Sequence, residues 1–380
     1  MKSEKLVPGL VLIVAGATMV GAQLPESRPF TRVLALETSA ETSANVSIGD
    51  LNGDGFADIV LAKGRHWPLI DRVLLNDGTA RFGAAHDLGN TADRSYSVTL
   101  SDIDRDGDLD VVVGNDALDP KRVYANDDKD HFQLLSTFGR PEWPTRNATV
   151  ADLNGDELPD IIVANRTGKS MGSNFICLNK GGGRFDADCI AFSRESATTI
   201  TPADIDRDGA VDLVVPHREG GQAYVHLNDG RARFEKRISF GRSDAAIRLA
   251  EAADFNGDGR IDIVAIDERR GAFITFNEPG GTFSAPLDIS NAKVMPYALS
   301  VGDVNLDNKM DVLVGHVKAP STAYLNDGSG RHFTPLSFGD SQGTVYGFAI
   351  GDLDRDGHPD IAVARSDAQN VVYFGAPIVR

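Results

Sequence analysis

Apolar runs along this chain are short, rich in β-branched residues and evenly spaced, and their order recurs about every fifty residues. One such unit reads as four strands, Tyr96 to Ser101, Leu109 to Gly114, Arg122 to Asn126 and Phe132 to Phe138. Runs of this length, bounded by Gly, Asn and Asp, predict strands rather than helices. The last two strands of a unit are separated by turn signals, as in Asn76-Asp77-Gly78, Asn228-Asp229-Gly230 and Asn326-Asp327-Gly328. Asn-Asp-Gly favours a tight hairpin, and a period of this size marks a repeat architecture.

Seven units of four strands predict an all-β, seven-bladed β-propeller. The two ends of the chain complement each other. The last unit stops after a third strand, Val371 to Phe374, whereas a spare strand stands before the first complete unit. Arg28-Pro29-Phe30-Thr31 is similar to Arg331-His332-Phe333-Thr334, which opens the fourth strand of unit six. The N-terminal strand is therefore expected to close the last blade and to hide two sheet edges.

Between the first and second strands of every unit lies an acidic nonapeptide of the form D-x-[DN]-x-D-[GEN]-x-x-D. Its oxygen side chains at positions 1, 3, 5 and 9 are Asp50, Asn52, Asp54 and Asp58 in the first copy and Asp102, Asp104, Asp106 and Asp110 in the second. They are Asp152, Asn154, Asp156 and Asp160 in the third, then Asp204, Asp206, Asp208 and Asp212 in the fourth. Copies five to seven supply Asp254, Asn256, Asp258 and Asp262, then Asp303, Asn305, Asp307 and Asp311, then Asp352, Asp354, Asp356 and Asp360. Calcium takes six to eight oxygen ligands in a flexible cage, so up to seven structural Ca2+ ions are expected. An EF-hand is excluded because Leu61 and Val113 stand where its position-12 Glu would, and a strand follows each loop. A lone acidic turn is often only solvated, but seven in one register argue for metal. Glu157 and Asn308 replace the glycine of position 6, which makes the third and sixth sites the weakest expected.

The formal charge is −17, and the seven nonapeptides hold 26 of the 55 acidic residues. Seven calcium ions would bring the balance to about −3, so the acidity is metal-binding capacity more than a partner signal. Lys2, Lys5, the apolar stretch Leu10 to Val20 and the small residues Val20-Gly21-Ala22 form the pattern of a signal peptide over 1–22. An uncleaved anchor is the alternative reading, and no cysteine follows for a lipid anchor. Residues 23–380 would be the mature propeller, secreted or periplasmic and monomeric, with no membrane span after cleavage. Cys177 and Cys189 flank a Lys-Gly-Gly-Gly turn. In an oxidising compartment they can bridge two strands of one hairpin, with free thiols as the alternative.

These loops, the apolar strand after each and the Asn-Asp-Gly hairpins resemble FG-GAP and VCBS-type repeats, such as those of integrin α-subunit propellers. The resemblance covers roughly Pro29 to the C-terminus. It implies a seven-bladed propeller with calcium between the first and second strands. It does not imply one function, because such repeats serve adhesion modules, lectin-like binders and some carbohydrate-active enzymes.

In that topology the acidic loops and the Asn-Asp-Gly turns share one face. The opposite face gathers Lys63, Arg65, Trp67, Arg94, Lys121, Arg140, Trp143, Arg146, Arg166, Arg218 and Arg365. A basic surface with both tryptophans is expected to bind an extracellular protein or an anionic glycan. Acidity and export argue against nucleic acid. The alternative is a carbohydrate enzyme such as a polysaccharide lyase, with a base drawn from His66, His217, His316 or Tyr297. Recurring histidines after second strands are more commonly plain strand ends. No hydrolase or nucleotide-binding motif supports other chemistry.

Overall fold

The computed structural model describes residues 29–377 except 84, 128–130 and 169–171. The expected leader over 1–22 lies outside the described residues, which contain strands and turns but no helix.

Seven four-stranded antiparallel sheets form the blades, with one small extra hairpin, Asn277–Glu278 with Thr282–Phe283. Blade 2 is representative: Ser95–Ser101 innermost, then Asp110–Asn115, Lys121–Ala125 and Gln133–Phe138. Each boundary lies within a residue of that read from the pattern. The second strand of each blade is buried over its whole length, as in Asp58–Lys63, Asp160–Asn165 and Asp311–His316. Both of its sides face neighbouring blades. That is why it reads as an unbroken apolar run, whereas the innermost strands show one half-exposed side to the channel. The core is accordingly a ring of clusters between adjacent blades. Leu51, Val60 and Val73 of blade 1, for example, pack against Val98, Val111 and Tyr124 of blade 2.

The last blade runs Val33–Ala35, Val371–Tyr373, Asp360–Ser366 and Thr344–Gly351, so the N-terminal strand closes the ring. The closing strand starts later than the Arg28-Pro29-Phe30-Thr31 similarity implied. Phe30 has a positive φ of 60° and sits in a turn. It anchors the clasp instead, 5.2 Å from the Phe338 ring, with its N–H donating to the Phe374 carbonyl at 2.9 Å. Cys177 and Cys189 form a disulfide between the third and outer strands of blade 3.

Neighbouring blades are also tied by polar contacts. On the innermost strands the hydroxyls of Ser47, Thr99, Thr149 and Thr201 donate to Val98, Ala148, Ile200 and Ala250 carbonyls of the next blade, at 2.7–2.9 Å. In six blades an asparagine at or just after the end of the third strand does the same at the other face. Asn76, Asn126, Asn179, Asn228, Asn277 and Asn326 each donate to a carbonyl at position 2 of the preceding blade's acidic loop, at 2.6–2.8 Å. The Asn-Asp-Gly signal thus marks both a hairpin and an inter-blade tie.

Candidate functional site

Each acidic loop winds so that its side chains turn inward on its own backbone. Position 4 and position 6 both take positive φ. Position 4 is Gly53, Arg105, Gly155, Arg207, Gly257, Leu306 and Arg355 through the seven copies, and position 6 includes Glu157 at 64° and Asn308 at 61°. Loop six therefore carries two side chains in the left-handed region and loop three one, so strain falls at least as heavily on the sixth copy. The demand at position 4 was missed from sequence, although Asn-Gly in copies one, three and five signalled it.

The aspartate at position 9 is wholly buried in every copy. One carboxylate oxygen accepts the position-2 N–H and the other the N–H just beyond the third strand, as at Asp58 from Leu51 at 2.9 Å and Asn76 at 2.8 Å. Burial pushes this carboxyl up to about 6 in Asp58, Asp110, Asp160, Asp212, Asp262 and Asp360, and to about 7 in Asp311, against the pull of those donors. Position 9 thus fastens the loop to the sheet, and each oxygen keeps a second lone pair. Asp102, Asp104 and Asp110 converge within 4.8 Å, as do Asp204, Asp206 and Asp212, and Asp352, Asp354 and Asp356. The buried Oδ1 atoms of Asp50, Asp102 and Asp204 have no hydrogen-bond partner. Convergent carboxylates with orphaned oxygens fit a hard divalent cation.

The opposite face differs from the broad basic surface expected. Lys63 is buried against Glu37 and Glu41, and Lys121 is buried with its Nζ donating to the carbonyls of Asp119, Pro141 and Trp143 at 2.9–3.1 Å. Arg94 is held by Asp119, Arg140 by Asp188 and Arg365 by Asp340. Trp143 stacks on Phe175 at 3.9 Å in the core of its blade, so its ring does not offer an open face, whereas Trp67 is 71% exposed. His316 is buried with Nδ1 2.8 Å from the Pro320 carbonyl, and neither it nor His217 lines the cavity at the channel mouth. The loops satisfy their own charges because a buried or half-buried ion needs a partner.

What remains converges at the mouth of the central channel. A cavity of ≈ 90 Å³ there is lined by Arg65, His66, Tyr96, Arg146, Arg166, Arg218, Arg248, Tyr297 and Tyr346, with Ala44, Asn45, Asn147, Thr198, Thr199 and Leu249. Arg65, His66, Arg146, Arg166, Arg218 and Tyr297 were anticipated from sequence, while Tyr96, Arg248 and Tyr346 were not.

The missed signal is periodic. Six residues before the first aspartate of each loop stand Ala44, Tyr96, Arg146, Thr198, Arg248, Tyr297 and Tyr346. In six blades the register between first and second strands slips at that residue, a β-bulge that re-aims its side chain. The bulges repeat around the ring, so their side chains meet near its axis.

Around the cavity the guanidinium of Arg248 lies 3.3 Å over the Tyr297 ring, that of Arg65 4.0 Å over Tyr346 and that of Arg146 4.1 Å over Tyr96. Tyr346 donates its hydroxyl to that of Tyr297 at 3.2 Å. Burial resists ionisation of Tyr297, but Arg248 and this hydrogen bond prevail and bring it down to about 8. Tyr346 moves the opposite way, raised by burial and by Tyr297. His66 is lowered by burial and by Arg65 and Arg146. Burial brings Arg248 down to about 10.

Five guanidinium groups line the cavity, and three carboxylates pair with them: Asp116 with Arg146, Glu219 with Arg166, and Glu268 with Arg218 and Arg248. Two positive charges are left over. Arg65 has no carboxylate partner among the described residues, and its backbone is in the left-handed region at φ 46°.

Six stretches of the chain, 50–113, 102–163, 152–215, 204–265, 254–314 and 315–363, match the family model of the FG-GAP-like repeat. A T-cell immunomodulatory protein homolog from Plasmodium yoelii yoelii is 23% identical over 274 residues, covering 61% of this chain and 38% of that protein. The chain thus spans well under half the length of that curated relative. Among solved structures, the BP39L lectin from Burkholderia pseudomallei has a TM-score of 0.67 at 13% identity, covering 89% of this chain and 99% of its own. An Agrocybe aegerita lectin, described as recognising non-reducing terminal N-acetylglucosamine, has a TM-score of 0.57 at 20% identity, with 87% of each chain covered. At such identities the fold is what is shared.

Proposed function

Since this chain belongs to the FG-GAP-like repeat family, we propose that it is a calcium-stabilised interaction module that binds an anionic extracellular partner, glycan or protein, at the channel mouth opposite its acidic loops. The single observation that carries this reading is the cavity with two uncompensated guanidinium charges. A half-enclosed site of one sign focuses potential on an oppositely charged ligand.

The acidic loops support a structural role for calcium. The carboxylates and amides of positions 1, 3, 5 and 9 would hold the ion, and the orphaned oxygens of Asp50, Asp102 and Asp204 fit it. The ion supplies a divalent positive charge where burial otherwise disfavours ionised carboxylates. A disulfide and calcium loops suit an oxidising, calcium-rich compartment outside the cytoplasm, and no described helix is long and apolar enough to cross a membrane.

The test is titration of the calcium-loaded protein with a panel of acidic polysaccharides, followed by the Arg146→Ala variant. Binding that weakens about tenfold in the variant supports the mouth as the site. Binding unchanged in the variant refutes it. Thorough chelation should lower the melting temperature, and unchanged melting would remove calcium from the reading.

Enzymatic β-elimination of an acidic polysaccharide is the second reading, favoured by Tyr297, which has the Arg248 guanidinium over its ring and the Tyr346 hydroxyl donating to its own. An arginine would neutralise the carboxylate, the phenolate would take the adjacent C–H proton, and the C–O bond to the glycosidic oxygen would break as the double bond forms, that oxygen leaving with the proton the tyrosine had taken. The small enclosed volume ranks this reading below binding, because the reacting sugar carbon must also enter. Sustained ultraviolet absorbance from unsaturated product would reverse that ranking.

A further inference from the structure

We infer that the channel mouth is a socket for one oxyanion of the ligand, a carboxylate, sulfate or phosphate group, and that recognition does not depend on gripping a run of charges along a chain. This rests on the reading that the mouth binds an anionic partner, and it adds what part of that partner is recognised.

The shape of the site is the first ground. Side chains that reach the mouth come from bulges on the innermost strands, as Tyr96, Arg146, Arg248, Tyr297 and Tyr346 do, and from the segments just after second strands, as Arg65, Arg166 and Arg218 do, so they converge on one small cavity from several blades. A groove for an extended polyanion would instead need cations laid out in a line. The enclosed volume of ≈ 90 Å³ is the second ground. It is smaller than the ~150 Å³ cavity that admits a benzene ring, which leaves room for an acidic head group with the rest of the ligand outside.

Donor chemistry is the third ground. The buried Nε atoms of Arg65 and Arg218 and the buried hydroxyls of Thr198 and Thr199 have no hydrogen-bond partner. Buried donors are normally satisfied, and these four line one small cavity. Several of the arginines are already fixed. Arg218 is held by Glu268 at 2.6 Å, and Arg248 by Glu268 at 3.2 Å and the Tyr297 carbonyl at 2.8 Å. Planar guanidinium groups locked this way present their remaining N–H groups to an oxyanion with little further ordering. The excess of two positive charges matches one acidic group, singly or doubly charged, rather than a string of them.

Arg65 is the residue to change, because it has no carboxylate partner among the described residues and contacts His66 and the Tyr346 ring instead, so its removal leaves none of their acids unpaired. Inorganic sulfate, inorganic phosphate and acetate would be titrated calorimetrically into the calcium-loaded full chain at fixed ionic strength. Galacturonate monomer, dimer and tetramer would follow in the same buffer. The expected result is one anion per protein, affinity that levels off by the dimer, and about a 10- to 100-fold loss in Arg65→Ala with partial recovery in Arg65→Lys. The ranking among sulfate, phosphate and acetate identifies the source of the oxyanion. Circular dichroism of both variants checks that the fold is kept. Affinity that climbs steadily with oligomer length, is indifferent to Arg65 and is not competed by sulfate overturns the socket while leaving an anionic binding face intact. No binding by any of these probes overturns both.

Discussion

Glu251 tests the physical picture of the channel most directly. It occupies the innermost-strand position at which blades 1 to 4 carry Ser47, Thr99, Thr149 and Thr201, the hydroxyls that tie each blade to the next. A carboxylate there is half-buried, with no cation or hydrogen-bond donor among the described residues to offset its desolvation, and burial alone pushes it from 4.5 up to about 7. A shift of that size corresponds at most to roughly 3.5 kcal/mol, at about 1.4 kcal/mol per pH unit, and access for water to the half-buried group reduces this to about 1–2 kcal/mol. Below about pH 4.5 the carboxyl is protonated in both folded and unfolded chains, so it contributes no penalty. As pH rises through the window from 4.5 to about 7, the folded state keeps a proton that the unfolded state has lost, and stability falls; above it the full penalty stands. Glu251→Gln is nearly isosteric and uncharged. Guanidinium unfolding of both proteins at the same calcium concentration, at pH 4.5, 6 and 8, should therefore give equal midpoints at the lowest pH and a more stable variant at the highest. The aspartates of the acidic loops titrate in both proteins and cancel in the difference. A difference that does not change with pH, or a variant less stable at pH 8, would refute the reasoning.

Glu251→Thr should gain more than Glu251→Gln at pH 8, by about 1 kcal/mol, if the new hydroxyl reaches the next blade's carbonyl as its four counterparts do; equal midpoints for the two variants would deny the tie. Asn228→Ala removes buried donors to Leu153 and Val211 carbonyls at 2.8 and 3.0 Å and should cost about 2–3 kcal/mol by thermal or chemical unfolding. A loss below 0.5 kcal/mol would mean that this asparagine is only a turn residue. Glu157→Gly relieves a side chain at φ 64° and should stabilise the calcium-loaded protein by about 1 kcal/mol, read as a higher melting temperature; a lower one would show that the side chain contributes something its exposed position conceals.

The number of blades, their four strands, the hairpins and the closure of the ring were all legible in the sequence, because each rests on local information repeated seven times. An apolar run buried between two neighbours looks alike in every copy, and the missing fourth strand at one end matched the spare one at the other. The acidic loops were legible as clusters of convergent carboxylates for the same reason. The position-9 aspartate, however, was read only as a ligand, whereas the fold makes it the acceptor for two backbone N–H groups from different parts of the blade. That second role depends on where the third strand ends in space.

The site on the opposite face was legible only in part. Composition placed many cations there, but it could not say which would find carboxylates: Arg94, Arg140 and Arg365 did, Lys63 and Lys121 were buried, and Arg65 found none. Pairing is decided by distances between loops of different blades, which no spacing along the chain reports. Arg248, Tyr96 and Tyr346 stand about 100 to 250 residues apart, each within a strand whose local pattern offers no hint of chemistry. The sequence by itself determined the repeat, and hence the strands, the blades and the acidic loops. Only the tertiary structure decided the site, because closing the ring brings the equivalent bulges of six blades to one axis, and their side chains acquire a common chemistry only there.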